Sequence, residues 1–353
     1  MRALHVRRLG LVEYADGLAA QKLLVEARAR GLIPDTLLIV EHPRVITLGR
    51  GAKAANILAP REELQRQGFE IWETDRGGDV TYHGPGQIVG YPILDLKPDR
   101  KDVRKYVASV EELMIRVARD YGIEGRRIAG RIGMWTDGGK LGAIGVHISR
   151  WITSHGFAFN VRTDLRDFAA IVPCGIQDAS VASLESLLGK VPDPKSVEER
   201  FVARAGDVWE SEVSELAVER RTVSVAITRA DGRVLLLKRT PSGGGFWQIL
   251  TGTMEPGESL LQTAAREVSE ETGFSGELRE LNYSHSFALG DSGLPPLFAH
   301  ETAFALQVFG EPKLSDEHVE YRWCTPQEAA ALLPYAGLRR AVQLAVAGGR
   351  SAS

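Results

Sequence analysis

The sequence has only two cysteines, Cys174 and Cys324, and their wide separation excludes a disulfide-stapled scaffold. No apolar run reaches the length of a membrane span, and the N-terminus lacks the apolar core of a secretory signal. The net charge is only −3, from 43 basic and 46 acidic residues, whereas general nucleic-acid binders are usually basic. We therefore expect a cytoplasmic protein with reduced thiols, no membrane association and no stable nucleic-acid binding.

What the sequence does contain is enough material for two globular domains. Its 353 residues exceed what one compact core usually serves, and 44% hydrophobic with 25% charged residues is typical of globular proteins. A charged helical pattern runs into the polar segment 210–219, and a fresh strand pattern begins at Val223. We therefore expect domains at 1–212 and 219–353, joined by a linker at 213–218.

Secondary-structure signals in the first domain alternate between strands and helices. The helical spacing of apolar residues in 104–121 ends at Gly122, which is typical of a helix C-terminus. The predicted strands are 37–40, 45–48, 131–135, 141–148 and 157–161, and a second helix is predicted at 195–210. The second domain opens with strands at 223–227 and 234–237 around the hairpin signal Asp231-Gly232.

Residues 76–87 form the segment with the most distinctive composition. They read Arg-Gly-Gly-Asp-Val-Thr-Tyr-His-Gly-Pro-Gly-Gln, with four glycines and almost nothing apolar. This composition predicts a loop rather than a core strand or a helix, and glycine allows a backbone to approach a ligand closely. Because Arg76, His83 and Gln87 supply hydrogen-bonding groups, we interpret the segment as a ligand-binding loop.

Cys174 lies between Pro173 and Gly175, in a turn that would present its side chain rather than bury it. A nucleophilic cysteine reacts as the thiolate and needs a nearby cation or base. Lys140, at the end of the turn 137–140, is a candidate for that cation. Taken singly, each residue also fits an ordinary role, since single cysteines are commonly small buried hydrophobes and turn lysines are commonly solvated.

Taken in order, these segments resemble the octanoyltransferases of lipoate biosynthesis, the lipoate-protein ligase B family. The matching segments are 76–87, 139–145, 155–161, 171–176 and Ser183-Leu184, and the resemblance covers about residues 1–212. It implies a biotin/lipoate-ligase-like mixed-sheet domain and an α/β (α+β) class.

The resemblance also implies a two-step acyl transfer without a cofactor. Cys174 would attack octanoyl-acyl carrier protein to give a thioester, and a lysine of a lipoyl domain would take the octanoyl group as an amide. Lys140 would favour the thiolate and handle protons, and His83 is the next candidate for orienting this pair. The acceptors would be lipoyl domains of 2-oxoacid dehydrogenases and the H protein of glycine cleavage. The implied acyl-binding residues are Arg76, Gly77, Gly78, Asp79, Val80, Thr81, Tyr82, His83, Ala143, Ile144, Gly145, Gly156, Phe157 and Ala158.

The second domain carries a long acidic motif. Its fixed positions are Gly252, Glu258, Arg266, Glu267, Glu270, Glu271 and Gly273. Ser259 and Gln262 have capping-box spacing and Gly273 suits a C-terminal cap, so a helix is predicted between them. Its expected apolar face consists of Leu260, Leu261, Ala264, Ala265 and Val268. The clustered glutamates repel one another, and a hard divalent cation such as Mg²⁺ would convert that repulsion into binding.

This motif, within about residues 218–345, resembles the Nudix hydrolases, which implies an α/β/α sandwich that cleaves a nucleotide-type diphosphate with Mg²⁺ (or Mn²⁺). By that resemblance Glu270 and Glu271 are the principal metal ligands, Glu267 is a ligand or base, and the Gly252 carbonyl assists. Arg266 would orient a glutamate, with Glu258 in support, and Glu301 is a further candidate ligand. Segments 245–248 and 317–323 look most like members that act on nucleoside or pterin triphosphates, with Trp247 either stacking on a base or lying in the core.

Two alternatives remain open at the level of sequence. An ATP-dependent lipoate or biotin ligase uses a lysine near an acyl adenylate but needs no cysteine, so Pro173-Cys174-Gly175 disfavours it. In the second alternative, the Nudix part is a non-catalytic, nucleotide-sensing module. The intact acidic helix disfavours this interpretation.

Overall fold

A computed structural model describes residues 1–172, 180–291 and 294–349 of the chain. It divides into two compact units, Met1–Ala217 with Leu289–Pro296 and Val218–Ala288 with Leu297–Ser353. Within the described ranges, no helix is both long enough and apolar enough to cross a membrane.

The first unit is built on a mixed sheet of eight strands, beside a smaller sheet of three. Its strands are β1 (Arg2–Leu11), β2 (Asp35–Glu41), β3 (Val45–Leu48), β4 (Glu70–Glu73), β5 (Val80–His83), β6 (Gln87–Ile93), β7 (Arg126–Ile128), β8 (Arg131–Thr136), β9 (Gly139–Ser149), β10 (Ile152–Asn160) and β11 (Ser211–Glu215). The large sheet has the order β11-β1-β2-β6-β10-β9-β8-β7, and β4-β3-β5 form the small one. β1 runs parallel to both its neighbours, whereas β6, β10 and β9 are antiparallel.

Helices pack against both sheets of the first unit. They are α1 (Tyr14–Ala29), α2 (Arg61–Arg66), α3 (Val103–Asp120), α4 (Leu184–Leu188) and α5 (Pro194–Trp209). Asp102 caps α3 by accepting a hydrogen bond from the Lys105 N–H, and the helix stops before Gly122, whose φ is +76°. The apolar stripes of α3 and α5 pack together and on one sheet face, where Phe157 stacks on Phe201 at 5.0 Å. This packing is the main core of the unit.

The opposite face of the large sheet carries α1, which contacts β6 and β10. Directly paired positions on β9 and β10 place Ala143 beside Ala158 and Gly145 beside Gly156. Because paired residues of neighbouring strands share a face, this part of the sheet has side chains no larger than a methyl group. The intervening Ile144 packs against the α3–α5 core on the other face. The small residues leave space next to the sheet.

The second unit has a seven-stranded mixed sheet and three helices. Its strands are β12 (Arg220–Thr228), β13 (Val234–Arg239), β14 (Trp247–Gln248), β15 (Leu250–Thr253), β16 (Arg279–Leu289), β17 (Leu297–Gln307) and β18 (His318–Cys324). β12 lies centrally, parallel to β17 and antiparallel to β15. Its helices are α6 (Leu260–Thr272), α7 (Pro326–Leu332) and α8 (Ala336–Gly349). Both α6 and α8 contact β12.

Helix α6 begins and ends where the sequence predicts. Ser259 and Gln262 form the capping box, and Gly273 ends the helix in the left-handed conformation at φ +69°. The predicted apolar face is wrong in part, because Leu261 is 52% exposed and Ala265 is also exposed, whereas Glu271 is buried. Positions 264, 268 and 271 follow helical spacing, so the carboxylate of Glu271 lies on the same stripe as Ala264 and Val268.

Most predicted strands and both predicted helices of the first unit are confirmed, with two corrections. Segment 76–87 is not a continuous loop, because Val80–His83 is β5 and β6 begins at Gln87. Val-Thr-Tyr is a β-favouring run that the flanking glycines obscured. Part of the polar segment 210–219 is also ordered, since Ser211–Glu215 pairs with β1 as an edge strand. An edge strand with exposed side chains lacks the apolar alternation that marks a strand.

Candidate active sites

A cavity of about 480 Å³, partly open to solvent, lies between the large sheet, the small sheet and the first residue of α1. The predicted acyl-binding residues that line it are Arg76, Gly78, Asp79, Val80, Thr81, His83, Ala143, Ile144, Gly145, Gly156, Phe157 and Ala158. Tyr14, Val89, Tyr91 and His155 also line it and were missed from sequence. The structure thus brings together three sequence segments that lie far apart in the chain.

Tyr82 and Gly77 lie outside this lining. The Tyr82 ring is 1% exposed and packs against Phe168 at 5.1 Å, and its hydroxyl donates to Asp167 at 2.6 Å. Strand alternation explains this, because Thr81 and His83 point toward the cavity while Tyr82 points away. Burial, followed by the hydrogen bond to Asp167, raises the Tyr82 pKa.

The loop at Arg76 packs directly on the large sheet. The Gly77 N–H donates to the Val146 carbonyl at 2.9 Å. The Arg76 guanidinium is buried and donates to the Thr47 carbonyl at 2.6 Å and to the Thr47 hydroxyl at 2.8 Å. A Cβ at Gly145 would lie 2.9 Å from Arg76 Cδ and 3.0 Å from the Gly77 carbonyl oxygen. Gly145 therefore makes room for the protein's own loop.

Asp79 organises the rim of the cavity. Its Oδ2 accepts from Asn56 Nδ2 at 2.5 Å, and its Oδ1 accepts from the Lys53 N–H at 3.2 Å and from the Val80 N–H at 2.7 Å. The neighbouring Gly78 has φ +87°, a left-handed conformation that glycine adopts without strain. The carboxylate thus ties the start of β5 to segment 53–56.

His83 begins a chain of hydrogen bonds that leads toward Lys140. Its Nδ1 lies 2.8 Å from Gln87 Oε1, and Gln87 Nε2 donates to Asn160 Oδ1 at 2.9 Å. Asn160 Nδ2 donates to the Ala182 carbonyl at 2.9 Å, and the Ala182 N–H donates to the Lys140 carbonyl at 3.0 Å. Burial first, and the nearby His42 second, lower the pKa of His83 to about 3, so the ring is neutral. A neutral ring that donates from Nδ1 has an acceptor at Nε2.

Lys140 lines a second cavity of about 310 Å³ together with Gln87 and Asn160. The side chain is buried, and its Nζ lies 5.4 Å from the centre of the Trp135 ring. Gly133 makes room for it, because a Cβ there would lie 2.8 Å from Lys140 Cε. Gly133 was not predicted as a site residue.

Cys174 lies outside the described residues, as do its neighbours 173–179. The described residues on either side of this segment are anchored by backbone hydrogen bonds. The Val172 N–H donates to the Asn56 carbonyl at 2.8 Å, and the Lys140 N–H donates to the Ser180 carbonyl at 2.9 Å. Val181 pairs with Lys140 in a parallel bridge and lines the same cavity.

His155 is a feature that sequence reasoning passed over, although it begins one of the matched segments. Its φ is +53°, which is strained for a non-glycine residue, and its N–H donates to Oε1 of the buried Gln21 at 2.6 Å. Its Nε2 lies 2.7 Å from Asp75 Oδ1, next to Arg76. Burial lowers the His155 pKa, and Asp75 partly offsets this effect. The signal that the sequence offered for a site residue here was a histidine in a Gly-rich strand.

In the second unit, Arg266 holds three glutamates of the acidic motif. Its Nε donates to Glu258 Oε1 at 2.8 Å, and its NH1 donates to Glu267 Oε1 at 3.0 Å and to Glu270 Oε2 at 3.1 Å. These contacts lower the pKa of Glu258 to about 2, with the Arg266 hydrogen bond as the largest cause. Gly252 lies against this cluster, because a Cβ there would be 2.2 Å from Glu267 Cδ.

Glu271 is placed differently, below the exposed part of the cluster. Its Oε2 is buried without a hydrogen-bond partner among the described residues, and so is His318 Nδ1, 3.9 Å away. Burial, and then the charges of Glu267 and Glu317, raise the Glu271 pKa to about 8. Glu317 was not predicted as a site residue. Glu301 is buried on β17, opposite Thr222 of β12.

These donors fit a divalent cation in their chemistry. In the described parts of the chain, no group of three or more His, Cys, Asp or Glu side chains is already arranged to hold a metal ion. However, a buried carboxylate oxygen without a partner, surrounded by further carboxylates, is costly unless a cation balances it. Glu267, Glu270 and Glu271 would supply the carboxylate oxygens that Mg²⁺ prefers.

Comparisons with known proteins match each unit separately. Residues 13–205 match the family model of the lipoyl protein ligase A/B catalytic domain, and residues 218–344 match the NUDIX domain. An octanoyltransferase from Myxococcus xanthus is 47% identical over 358 residues, which cover 98% of this chain and 100% of that protein.

Two solved structures are similar to parts of the chain. The crystal structure of lipoate-protein ligase A bound with ATP matches with a TM-score of 0.50 and 14% identity, over 62% of this chain and 90% of that one. This identity shows a shared fold alone. The E. coli dihydroneopterin triphosphate pyrophosphohydrolase is 28% identical over 36% of this chain and 95% of that one, with a TM-score of 0.33.

Proposed function

The chain belongs to the octanoyltransferases of the lipoyl protein ligase A/B family and carries a NUDIX domain, and from this premise we propose that Cys174 transfers octanoyl as a thioester. In the first step the Cys174 thiolate attacks the thioester carbonyl of octanoyl-acyl carrier protein, a new thioester forms, and the sulfur of the carrier leaves as a thiolate. In the second step the amine of a lipoyl-domain lysine attacks the enzyme thioester. An amide forms, Cys174 leaves as the thiolate, and the amine loses a proton.

The observation that carries this proposal is the position of Lys140. Its backbone bonds Ser180 and Ala182, which follow the Cys174 segment, and its side chain lines a cavity that adjoins the acyl-binding one. An ammonium beside a thiol favours the thiolate, and an amine in the same place accepts a proton in the second step. The predicted domains 1–212 and 219–353 would then carry the acyl transfer and the NUDIX activity, respectively.

The first experiment follows the acyl group by intact-protein mass spectrometry. After incubation with octanoyl-acyl carrier protein, the wild type should carry one octanoyl group, and peptide mapping should place it on Cys174. The variant Cys174→Ala should carry none and should not modify a lipoyl domain. Cys324→Ser is the matched control, because Cys324 is a free, buried cysteine of the second unit. Full transfer by Cys174→Ala would contradict the mechanism.

The same assay separates the transferase from an ATP-dependent ligase. Free octanoate with ATP should give no modified lipoyl domain, whereas octanoyl-acyl carrier protein without ATP should give one. The opposite result would favour the ligase.

We propose further that the NUDIX domain hydrolyses a diphosphate bond of a nucleotide-type substrate, with Glu267, Glu270 and Glu271 holding Mg²⁺. When bound, the cation would activate water and neutralise phosphate charge. Arg266 fixes Glu258, Glu267 and Glu270 relative to one another, as its hydrogen bonds indicate.

A panel of nucleoside and pterin triphosphates with Mg²⁺ tests this activity through the release of phosphate or pyrophosphate. Glu270→Gln should lose turnover, and Glu280→Gln, an exposed glutamate on β16, is the matched control. If the panel gives no turnover but a nucleotide stabilises the wild type, the domain is a sensing module instead.

A further inference from the structure

The two adjoining cavities of the first unit have ends of opposite chemistry. Thr81, Ala143 and Ala158 line both cavities, so they mark the junction between them. Beyond the junction on one side lie Lys140 and the amides of Gln87 and Asn160. A thioester or amide group suits this polar end, and an alkyl chain does not. An acyl chain attached at the polar end therefore points through the junction toward the other cavity.

The far cavity has an exposed mouth and a buried end. Gly78 at the mouth is solvent-exposed. Val89, Tyr14 and Tyr91, which also line this cavity, are only 1%, 2% and 4% exposed and define its buried end. Burial of an alkyl tail is favourable in proportion to the apolar area removed from water, so the tail belongs at the buried end.

We propose that Tyr14 and Tyr91, held from behind by His42, form the floor of the acyl-binding cavity and limit the length of the acyl chain. The proposal rests on the acyl transfer proposed above. It names residues that select among substrates, whereas Cys174 and Lys140 perform the transfer on any chain that fits.

Hydrogen bonding turns the polar atom of Tyr91 away from the cavity. His42 Nδ1 lies 2.6 Å from the Val12 carbonyl, which can only accept, so Nδ1 carries the hydrogen. Burial lowers the pKa of His42 to about 4, so the ring is neutral and Nε2 is an acceptor. The Tyr91 hydroxyl, 2.6 Å from Nε2, therefore donates to it. Tyr91 thus directs its polar atom toward His42 and away from an alkyl chain.

Close packing makes the floor rigid. His42 is fully buried, its ring meets Tyr14 edge-on at 5.2 Å, and a Cβ at Gly17 would lie only 3.0 Å from His42 Cε1. Tyr14 also stacks on His83 at 6.4 Å. Close-packed interiors resist the insertion of even one additional methylene group. A chain that reaches the rings therefore meets a wall backed by tightly packed atoms.

The test measures kcat/KM with hexanoyl-, octanoyl-, decanoyl- and dodecanoyl-acyl carrier protein and a lipoyl-domain acceptor. For the wild type we expect a sharp fall between two successive lengths, about tenfold or more. In Tyr91→Leu the decanoyl-to-octanoyl ratio should rise about tenfold, because the smaller side chain opens the floor. Tyr14→Leu should shift the ratio in the same direction and decides the question if Tyr91→Leu does not fold.

Two controls separate length selection from general damage. Tyr91→Phe keeps the ring and should keep the wild-type preference for chain length. Tyr106→Leu removes an equally buried tyrosine from the α3–α5 core on the other sheet face and should leave the ratio unchanged. The proposal is contradicted if Tyr14→Leu and Tyr91→Leu both keep the wild-type ratio, or if wild-type rates do not depend on the length of the acyl chain. A wild type that forms no acyl-enzyme with any donor overturns instead the transfer proposed above.

Discussion

The candidate sites of the two units differ in how their polar side chains are paired. Around the proposed acyl-binding cavity, three polar side chains are paired with other protein groups: Arg76 with Thr47, His83 with Gln87, and His42 with Tyr91. In the NUDIX domain Arg266 pairs with three glutamates, yet Glu271 keeps a buried oxygen without a partner among the described residues. These three polar side chains of the first site have partners within the protein, whereas the second site keeps a carboxylate oxygen without one among the described residues.

The difference fits the two kinds of ligand proposed above. An alkyl chain offers no hydrogen bonds, so every polar group near it must be satisfied by the protein itself. A divalent cation offers two charges, so carboxylates that repel one another without it become its ligands. The contrast predicts that substitutions in one unit leave the other activity unchanged, and that only the NUDIX domain responds strongly to Mg²⁺.

The largest effect is expected from Lys140→Met, which should impair octanoyl transfer and leave NUDIX hydrolysis unaffected. Loss of the positioned cation and proton carrier should lower octanoyl transfer about 10²- to 10⁴-fold, while NUDIX hydrolysis stays at its wild-type rate. Lys238→Met is the matched control, since Lys238 also lies over a tryptophan, 5.7 Å from Trp247, but in the second unit. Steady-state assays of both reactions on the same preparations decide. Wild-type transfer by Lys140→Met would remove the lysine from the mechanism.

Glu271→Gln tests the charge that the NUDIX domain leaves unbalanced. Without metal the variant should unfold at a higher temperature than the wild type, because it removes a carboxyl group whose ionised form is destabilised by burial and by the charges of Glu267 and Glu317. Adding Mg²⁺ at about 100 times its Kd should stabilise the wild type by about 2.7 kcal/mol and the variant by much less. Calorimetry with chelator and with Mg²⁺ measures both shifts. Equal stabilisation of the two proteins would show that Glu271 is not a ligand.

His42→Gln tests whether His42 is buried as a neutral ring, through the pH dependence of the stability of the first unit. The unfolded chain binds a proton near pH 6.5, but folded His42 binds one only near pH 4, so acidification favours unfolding of the wild type. The variant lacks this group. The stability difference between wild type and variant should therefore be largest above pH 7 and shrink by about 2 kcal/mol on going to pH 5. Urea titrations at both pH values measure it, and a difference independent of pH would contradict the burial of a neutral ring.

Patterns of local spacing allowed much of this organisation to be predicted. The capping box at Ser259 and the left-handed Gly273 were found because caps depend on neighbouring residues. The cluster of acyl-binding segments was predicted through family resemblance, and the sheet pairing of Ala143 with Ala158 gives it a physical cause. Burial of Glu271 was also available from its spacing with Ala264 and Val268, although acidic residues are normally expected on the solvent face.

Contacts between distant segments explain what the sequence did not reveal. Tyr14 and Tyr91 look like ordinary core aromatics, and only the fold brings them together behind one cavity. The backbone of His155 is held by Gln21, 134 positions away. Strand β11 pairs with β1 at the opposite end of the first unit's sequence, so its polar composition gave no sign of a strand. Such pairings depend on topology rather than on local composition.

The smallest effects are expected from adding one methyl group beside each site. In Gly145→Ala the new Cβ would lie 3.0 Å from the Gly77 carbonyl, a backbone atom, so the Arg76 loop must move. We expect a loss of about 1–3 kcal/mol in stability and weaker octanoyl transfer. In Gly252→Ala the Cβ meets the Glu267 side chain, which is able to rotate away at less cost in stability.

Urea unfolding and both activity assays should therefore separate the two substitutions. Gly145→Ala should lose more stability and impair only transfer, because it displaces a backbone segment that the sheet holds through the Gly77–Val146 hydrogen bond. Gly252→Ala should lose less stability and impair only hydrolysis, because rotation of Glu267 breaks its contact with Arg266. If Gly145→Ala left transfer and stability at wild-type values, the close packing of the loop on β9 would not be what shapes the cavity. If stability stayed at its wild-type value but transfer fell, the glycine would instead serve the ligand directly, as its place in the lining also allows.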